Sequence, residues 1–214
     1  MKEQLRSSPF PGNHQDKTAA RLFLYKFAVD APRQGHAITL AGTEPREEVS
    51  LLRDYLGWEA ERSWFVDNDI KNRHVQKAIK QVRVYWPGAK ARLGNLREAL
   101  PQIDKVGFAN LDFMGHLNSY NVLPCLREVH EKMISGSIVG LTWERGREQL
   151  KVRNHSGTRT IRLGAKKGRS LNDRRWAGVL KTVDEISESK LEFVGGLEYQ
   201  SNHSPMSVSV FRKV

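Results

Sequence analysis

From position 36 to 143 the chain alternates five short candidate strands, four of them apolar runs, with stretches of helical periodicity, and few folds accommodate that rhythm. The candidate strands are HAITLAG (36–42), SWFVD (63–67), the mixed AKARLGN (89–95), KVGFANLD (105–112) and SIVGLTW (137–143). Between them, apolar residues recur at the spacing of one helix face: Val49, Leu51, Leu52 and Leu56, then Ile70, Val75, Ala78, Ile79 and Val82. Runs without polar alternation suit strands covered on both faces, and strand–helix alternation at this spacing suits parallel βαβ units. The pattern predicts an α/β fold: an open, mostly parallel, doubly wound sheet with helices on both faces. A helix over 16–30, with Ala20, Phe23, Leu24 and Phe27 on one side, precedes the first strand. LREALPQI forms a short helix or turn, and a helix over 117–133, open to a break at Pro124, leads into the fifth strand.

After position 143 the periodicity changes. LKVRNHSGTRTIRL (150–163) holds two alternating segments about Ser156-Gly157, which reads as an inserted β-hairpin within about 148–170. A helix over 173–187 and two last strands, LEFVGGLEYQ and MSVSVFRKV, bring the main sheet to seven strands and end it in a C-terminal hairpin. At 214 residues and 39% hydrophobic content, the chain suits a single domain over 16–214 behind a flexible arm over 1–15.

Charge is distributed unevenly. Between 145 and 175, eleven cations stand against Glu148 and Asp173, so this segment carries +9 of the net +11. Arg145, Arg147, Lys151, Arg153, Arg159, Arg162, Lys166, Lys167 and Arg169 are therefore candidates for contact with nucleic-acid phosphates, DNA or RNA. The single cysteine, Cys125, excludes an intramolecular disulfide and a multi-thiolate zinc site and reads as a small buried hydrophobe. No histidine, acid and cysteine set has metal-ligand spacing, and no apolar run is long enough to span a bilayer. A cytoplasmic protein without membrane contact is expected.

Two of the apolar runs end in acid, at Asp67 and Asp69 and at Asp112. In an open α/β sheet the carboxyl ends of strands face the ligand crevice, so carboxylates there are placed for binding or chemistry. Five α/β units, then a helix and a closing hairpin, resemble the class I S-adenosylmethionine-dependent methyltransferases over 36–214. That resemblance implies a cofactor loop after the first strand, where LAGTEPREE carries one glycine, Gly42, beside Thr43 and Glu44. Thr43 equally suits a helix cap, with Glu47 and Glu48 as favourable first-turn charges. The resemblance also implies that Asp67 accepts from the ribose hydroxyls and that Asn95 meets the adenine. Asp69 is open to a plain capping role, and Asn95 to that of a turn residue.

NLDFMG (110–115) falls where methyltransferases acting on amino groups of bases carry a polar residue, two prolines and an aromatic. Asn110 and Phe113 keep the first and fourth letters, while Leu111 and Asp112 replace the prolines. By this likeness Asn110, Asp112 and Phe113 form the acceptor site, with Asp112 free to take a proton and Phe113 to stack on a base. His116 and Tyr120 are alternative bases, and Trp143, Glu144, Arg145 and Arg147 are candidates for substrate handling. The expected function is methyl transfer from S-adenosylmethionine, directed at DNA or RNA. A non-catalytic nucleic-acid-binding protein on the same fold and a small-molecule methyltransferase are the alternatives.

Overall fold

The computed structural model describes residues 14–40, 45–113, 122–144, 150–154, 157–161, 171–200 and 205–214. All five candidate strands form: β1 (His36–Leu40), β2 (Ser63–Asp67), β3 (Lys90–Leu93), β4 (Val106–Asp112) and β5 (Met133–Glu144). They pair in parallel in the order β3-β2-β1-β4-β5. The basic ribbon, β6 (Leu150–Asn154) with β7 (Gly157–Ile161), forms a separate two-stranded antiparallel sheet. The chain then returns to the main sheet as β8 (Leu191–Gln200) and β9 (Pro205–Lys213), where β9 runs antiparallel to β5 and β8 takes the edge. This is the expected seven-stranded, mostly parallel sheet with its terminal hairpin. Gly157 stands in the ladder opposite Asn154 rather than at the turn of the ribbon.

Successive residues of each central strand enter opposite cores, as the period of two demands. Ala37, Phe65, Phe108 and Ile138 join Leu24 and Tyr25 of α1 (His14–Phe27), Ala28 just beyond it, and Val49 of α2 (Pro45–Ser50), together with Ile79 and Val82 of α3 (Arg73–Tyr85). Ile38, Trp64, Ala109 and Val139 join Leu96 and Ala99 of α4 (Leu96–Ala99), Cys125, Leu126 and Val129 of α5 (Val122–Lys132), and Val179 and Val183 of α6 (Leu171–Ser187). Cys125 is thus a core residue, and burial pushes its thiol up to about 11. Pro124 lies within α5, and residues 117–121 of the expected helix lie outside the described residues. Among the described residues no helix is long and apolar enough to cross a membrane.

Local signals explain where the helices begin. The Asn72 side chain accepts from the His74 N–H at 3.0 Å and starts α3, whose Val75, Ala78, Ile79 and Val82 form one buried stripe. Asp69 is therefore not the cap.

Helix α1 lies on its sheet face because two strand positions lack side chains. A Cβ on Gly140 of β5 would fall 2.3 Å from Leu24 Cδ1, and one on Gly195 of β8 would fall 2.7 Å from Phe27 Cζ. Gly140→Val should therefore force α1 off the sheet and lower stability by about 1–3 kcal/mol. Urea unfolding checks this; an unchanged midpoint would show that α1 is not seated on β5.

Candidate active site

Chain order reverses between β1 and β4: β2 and β3 lie to one side of β1, β4 and β5 to the other. A crevice outside the carboxyl ends of the strands is expected at such a switch point. Register fixes what flanks it. Leu40 pairs with Val66 and Thr39 with Asn110, so Asp67 and Asp112 both stand level with the position following β1. They occupy one rim, two strand spacings apart, or roughly 10 Å. Strand parity also gives them one face, because Phe65 and Phe108 enter the α1–α3 core and Asp67 and Asp112 follow at even steps. The two acids that the sequence singled out are thus brought to the same rim and the same face.

Asp67 Oδ1 accepts from the Asp69 N–H at 2.9 Å. Its backbone carbonyl accepts from the Gly94 N–H at 2.9 Å, which draws the β3 turn, with Asn95, alongside. Asn95 is also the cap of α4: its side-chain oxygen accepts from the Arg97 N–H at 3.0 Å. Beside Asp69, Ile70 is 56% exposed and offers an apolar surface at this end of the crevice.

Around Asp112 the chemistry is denser. Lys17 of α1 pairs with Asp112 Oδ2 at 3.5 Å, while Asp112 Oδ1 is buried without a hydrogen-bond partner among the described residues. One helical turn along α1, the buried Arg21 pairs with Glu48 at 2.8 Å and also with Glu47. Glu48, 1% exposed, accepts further from the Tyr25 hydroxyl and, at 3.0 Å, from the Thr39 hydroxyl. Burial pushes the Glu48 carboxyl above its usual range, against the pull of Arg21 and of these two hydrogen bonds. Burial, and the adjacent Glu48, raise Tyr25 as well, so its hydroxyl stays a donor. A small cavity open to solvent lies against this cluster, lined by Lys17, Arg21, Asn110, Asp112, Thr142 and Tyr199 among others. Burial and the nearby Asp112 charge raise Tyr199, which keeps that hydroxyl protonated too.

Parity separates the other acceptor-site candidates. Asn110 and Asp112 line the cavity, whereas Phe113 packs, partly buried, against the core of the opposite face. Trp143 stands at this rim, one position beyond Thr142, which pairs with Asp112, but it faces the other way: it is buried in that opposite core and donates its indole N–H to Ser209 Oγ at 3.0 Å. In the ribbon, Lys151 falls opposite Thr160, Arg153 opposite Thr158 and Arg159 opposite Val152. Gly42, Thr43, Glu44, His116, Tyr120, Arg145, Arg147, Arg162, Lys166, Lys167 and Arg169 lie outside the described residues. Lys17, Arg21, Glu48, Thr142 and Tyr199 were not anticipated. The one available signal was Arg21, a cation beside the apolar Ala20 and Leu24.

The fold is that of the class I S-adenosylmethionine-dependent methyltransferases. Among similar solved structures, an rRNA methylase from Streptococcus thermophilus has a TM-score of 0.56 at 8% identity, over 91% of this chain and 96% of that one. An O-methyltransferase from Bacillus cereus, in complex with SAH, has a TM-score of 0.52 at 12% identity, over 96% of this chain and 84% of that one. A chain of the fibrillarin/Nop5p complex has a TM-score of 0.54 at 13% identity, over 86% of this chain and 74% of that one. At such identities the likeness is one of fold. No protein-family model matches the sequence, and no curated protein does.

Removing one partner of a buried ion pair costs about 3–5 kcal/mol, because the other charge is left uncompensated. Arg21→Met should lose stability of that order at pH 8. With Arg21 gone, Glu48 titrates still higher when folded than its unfolded value of about 4.3. A raised carboxyl contributes stability that is present at low pH and lost as pH rises through the folded value, so the deficit should shrink at pH 5. Urea unfolding at both pH values checks this; an equal deficit at each would contradict the buried pairing.

Proposed function

We propose that this protein transfers a methyl group from S-adenosylmethionine to nucleic acid. The observation that carries this reading is the levelling of Asp67 and Asp112 on either side of the switch point, one rim and one face shared. The residues there suit the cofactor. The Asp67 carboxylate, whose Oδ1 also takes the Asp69 N–H, is of the acceptor type that suits ribose hydroxyls, Asn95 is drawn beside it, and the exposed Ile70 offers an apolar surface to an adenine ring. Asp112 Oδ1, buried and without a partner among the described residues, calls for a donor that a bound molecule would bring. The methyl group comes already activated by the sulfonium, so the protein's part is to orient the acceptor and exclude water. Solved relatives of the same fold include one in complex with SAH and one described as an rRNA methylase, which supports the reading by analogy.

The nucleic-acid part rests on charge. Positions 145–175 hold most of the net positive charge, and the two-stranded ribbon within them is set apart from the main sheet. An isolated two-stranded ribbon is marginally stable in water, so its retention favours a partner that covers it. The lone Gly42 in the turn after β1, where the resembled family has several glycines, favours a second reading. On that reading the protein binds nucleic acid on this fold without the cofactor.

Calorimetric titration with S-adenosylmethionine separates the two. Binding tighter than millimolar is expected, weakened at least tenfold by Asp67→Ala, since hydrogen bonds to a charged group contribute about 1.5–3 kcal/mol. Absence of binding to folded protein would leave only the second reading. Anisotropy with labelled RNA or DNA across a salt series tests the ribbon. Replacing Arg153, Arg159 and Arg162 with Gln should reduce the salt slope by roughly two to three, at about 0.7–0.9 per phosphate contact. An unchanged slope would remove the ribbon from the interface.

A further inference from the structure

We propose that the acceptor is a hydroxyl, held between Asp112 Oδ1 and the Lys17 ammonium, and hence, on a nucleic acid, the ribose 2′-hydroxyl of RNA. This rests on the methyl-transfer reading above and deepens it. Asp112 offers one oxygen to Lys17 at 3.5 Å and keeps the other buried without a hydrogen-bond partner among the described residues, and both residues line the same cavity. An entering group thus meets a hydrogen-bond acceptor and an ammonium donor side by side. A hydroxyl satisfies both. Its proton goes to Asp112 Oδ1, one lone pair accepts from Lys17, and another attacks the methyl carbon. An exocyclic amine does not: its one lone pair is needed for the methyl, which leaves the ammonium without an acceptor.

Charge points the same way. An amine nitrogen becomes positive as it is methylated, whereas a hydroxyl oxygen becomes negative as its proton departs. Among the described residues that line the cavity, the ionic ones are two cations, Lys17 and Arg21, and one anion, Asp112; Glu47 and Glu48 pair with Arg21 without being part of that lining. In the full step the acceptor O–H bond breaks and its proton passes to Asp112 and on to water. An O–C bond forms, the donor's C–S bond breaks, and that electron pair stays on sulfur. A DNA strand carries no hydroxyl along its length, whereas every RNA nucleotide does, which decides between the two nucleic acids.

The full-length protein is incubated with methyl-labelled S-adenosylmethionine and bulk RNA or denatured DNA, and the digested nucleosides are analysed by mass spectrometry. Label on ribose oxygen in RNA and none in DNA is expected, with Lys17→Met lowering kcat about 100-fold, Lys17→Arg restoring part of it, and cofactor affinity within twofold of wild type. Label on a base nitrogen or in DNA overturns the proposal, as does a Lys17→Met enzyme of undiminished kcat. A second readout needs neither cofactor nor acceptor. In the cofactor-free protein, amine-directed labelling of Lys17 should be slower than that of the exposed Lys77, and Asp112→Asn should speed it several-fold. Equal rates would overturn the pairing even if cofactor binding stood, while failure of cofactor binding alone would sink the methyl-transfer reading and leave the pairing intact.

Discussion

Parallel pairing of β1 with both β2 and β4 is the constraint on which the rim depends. Parallel hydrogen bonding puts every carboxyl end on one side, and the registers Leu40 with Val66 and Thr39 with Asn110 then bring Asp67 and Asp112 level. A slip of one residue in either pairing would send one of these acids to the opposite face. Such a slip is opposed from both cores, because Phe65 and Phe108 would have to leave the α1–α3 side together with their neighbours. The buried apolar residues of the strands thus hold two carboxylates at the carboxyl ends of β2 and β4, on one rim and one face.

Helix α1 adds the second half of the site. Gly140 and Gly195 let it lie close on the sheet, and Arg21 locks it to Glu47 and Glu48 of α2. Its first described turn then carries Lys17 to Asp112. Because Glu48 also takes the Thr39 hydroxyl from β1, one buried carboxylate ties together α1, α2 and the strand that ends at the switch point. A change in any one of the three is therefore felt at the cavity, even where it touches no ligand.

Sequence periodicity revealed the strands because four apolar runs leave little choice about burial and the mixed KARL segment falls between them at the βαβ spacing, and it revealed the acids because they end two of those runs. The ribbon was legible from its alternation, although Gly157 proved to lie within the ladder. What escaped was everything that depends on contacts distant in sequence. Arg21 and Glu48 stand 27 positions apart with a strand between them, and nothing in the period of either helix marks them as partners. Trp143 does lie at the rim, as the end of an apolar run suggests, but strand parity turns its side chain into the α4–α6 core, beside Ser209. Phe113 is likewise carried by parity away from the cavity that Asn110 and Asp112 line. Which face a residue takes needs the partner strand, and a single chain of letters does not supply it.

A crystal structure of the protein grown with S-adenosylhomocysteine tests the shared rim most directly. The expected result is density across the carboxyl ends of β2, β1 and β4, with the ribose hydroxyls on the Asp67 carboxylate and the sulfur turned toward Asp112. Ligand bound at another place on the molecule, or an Asp67 and Asp112 that face different compartments in the refined coordinates, would contradict it.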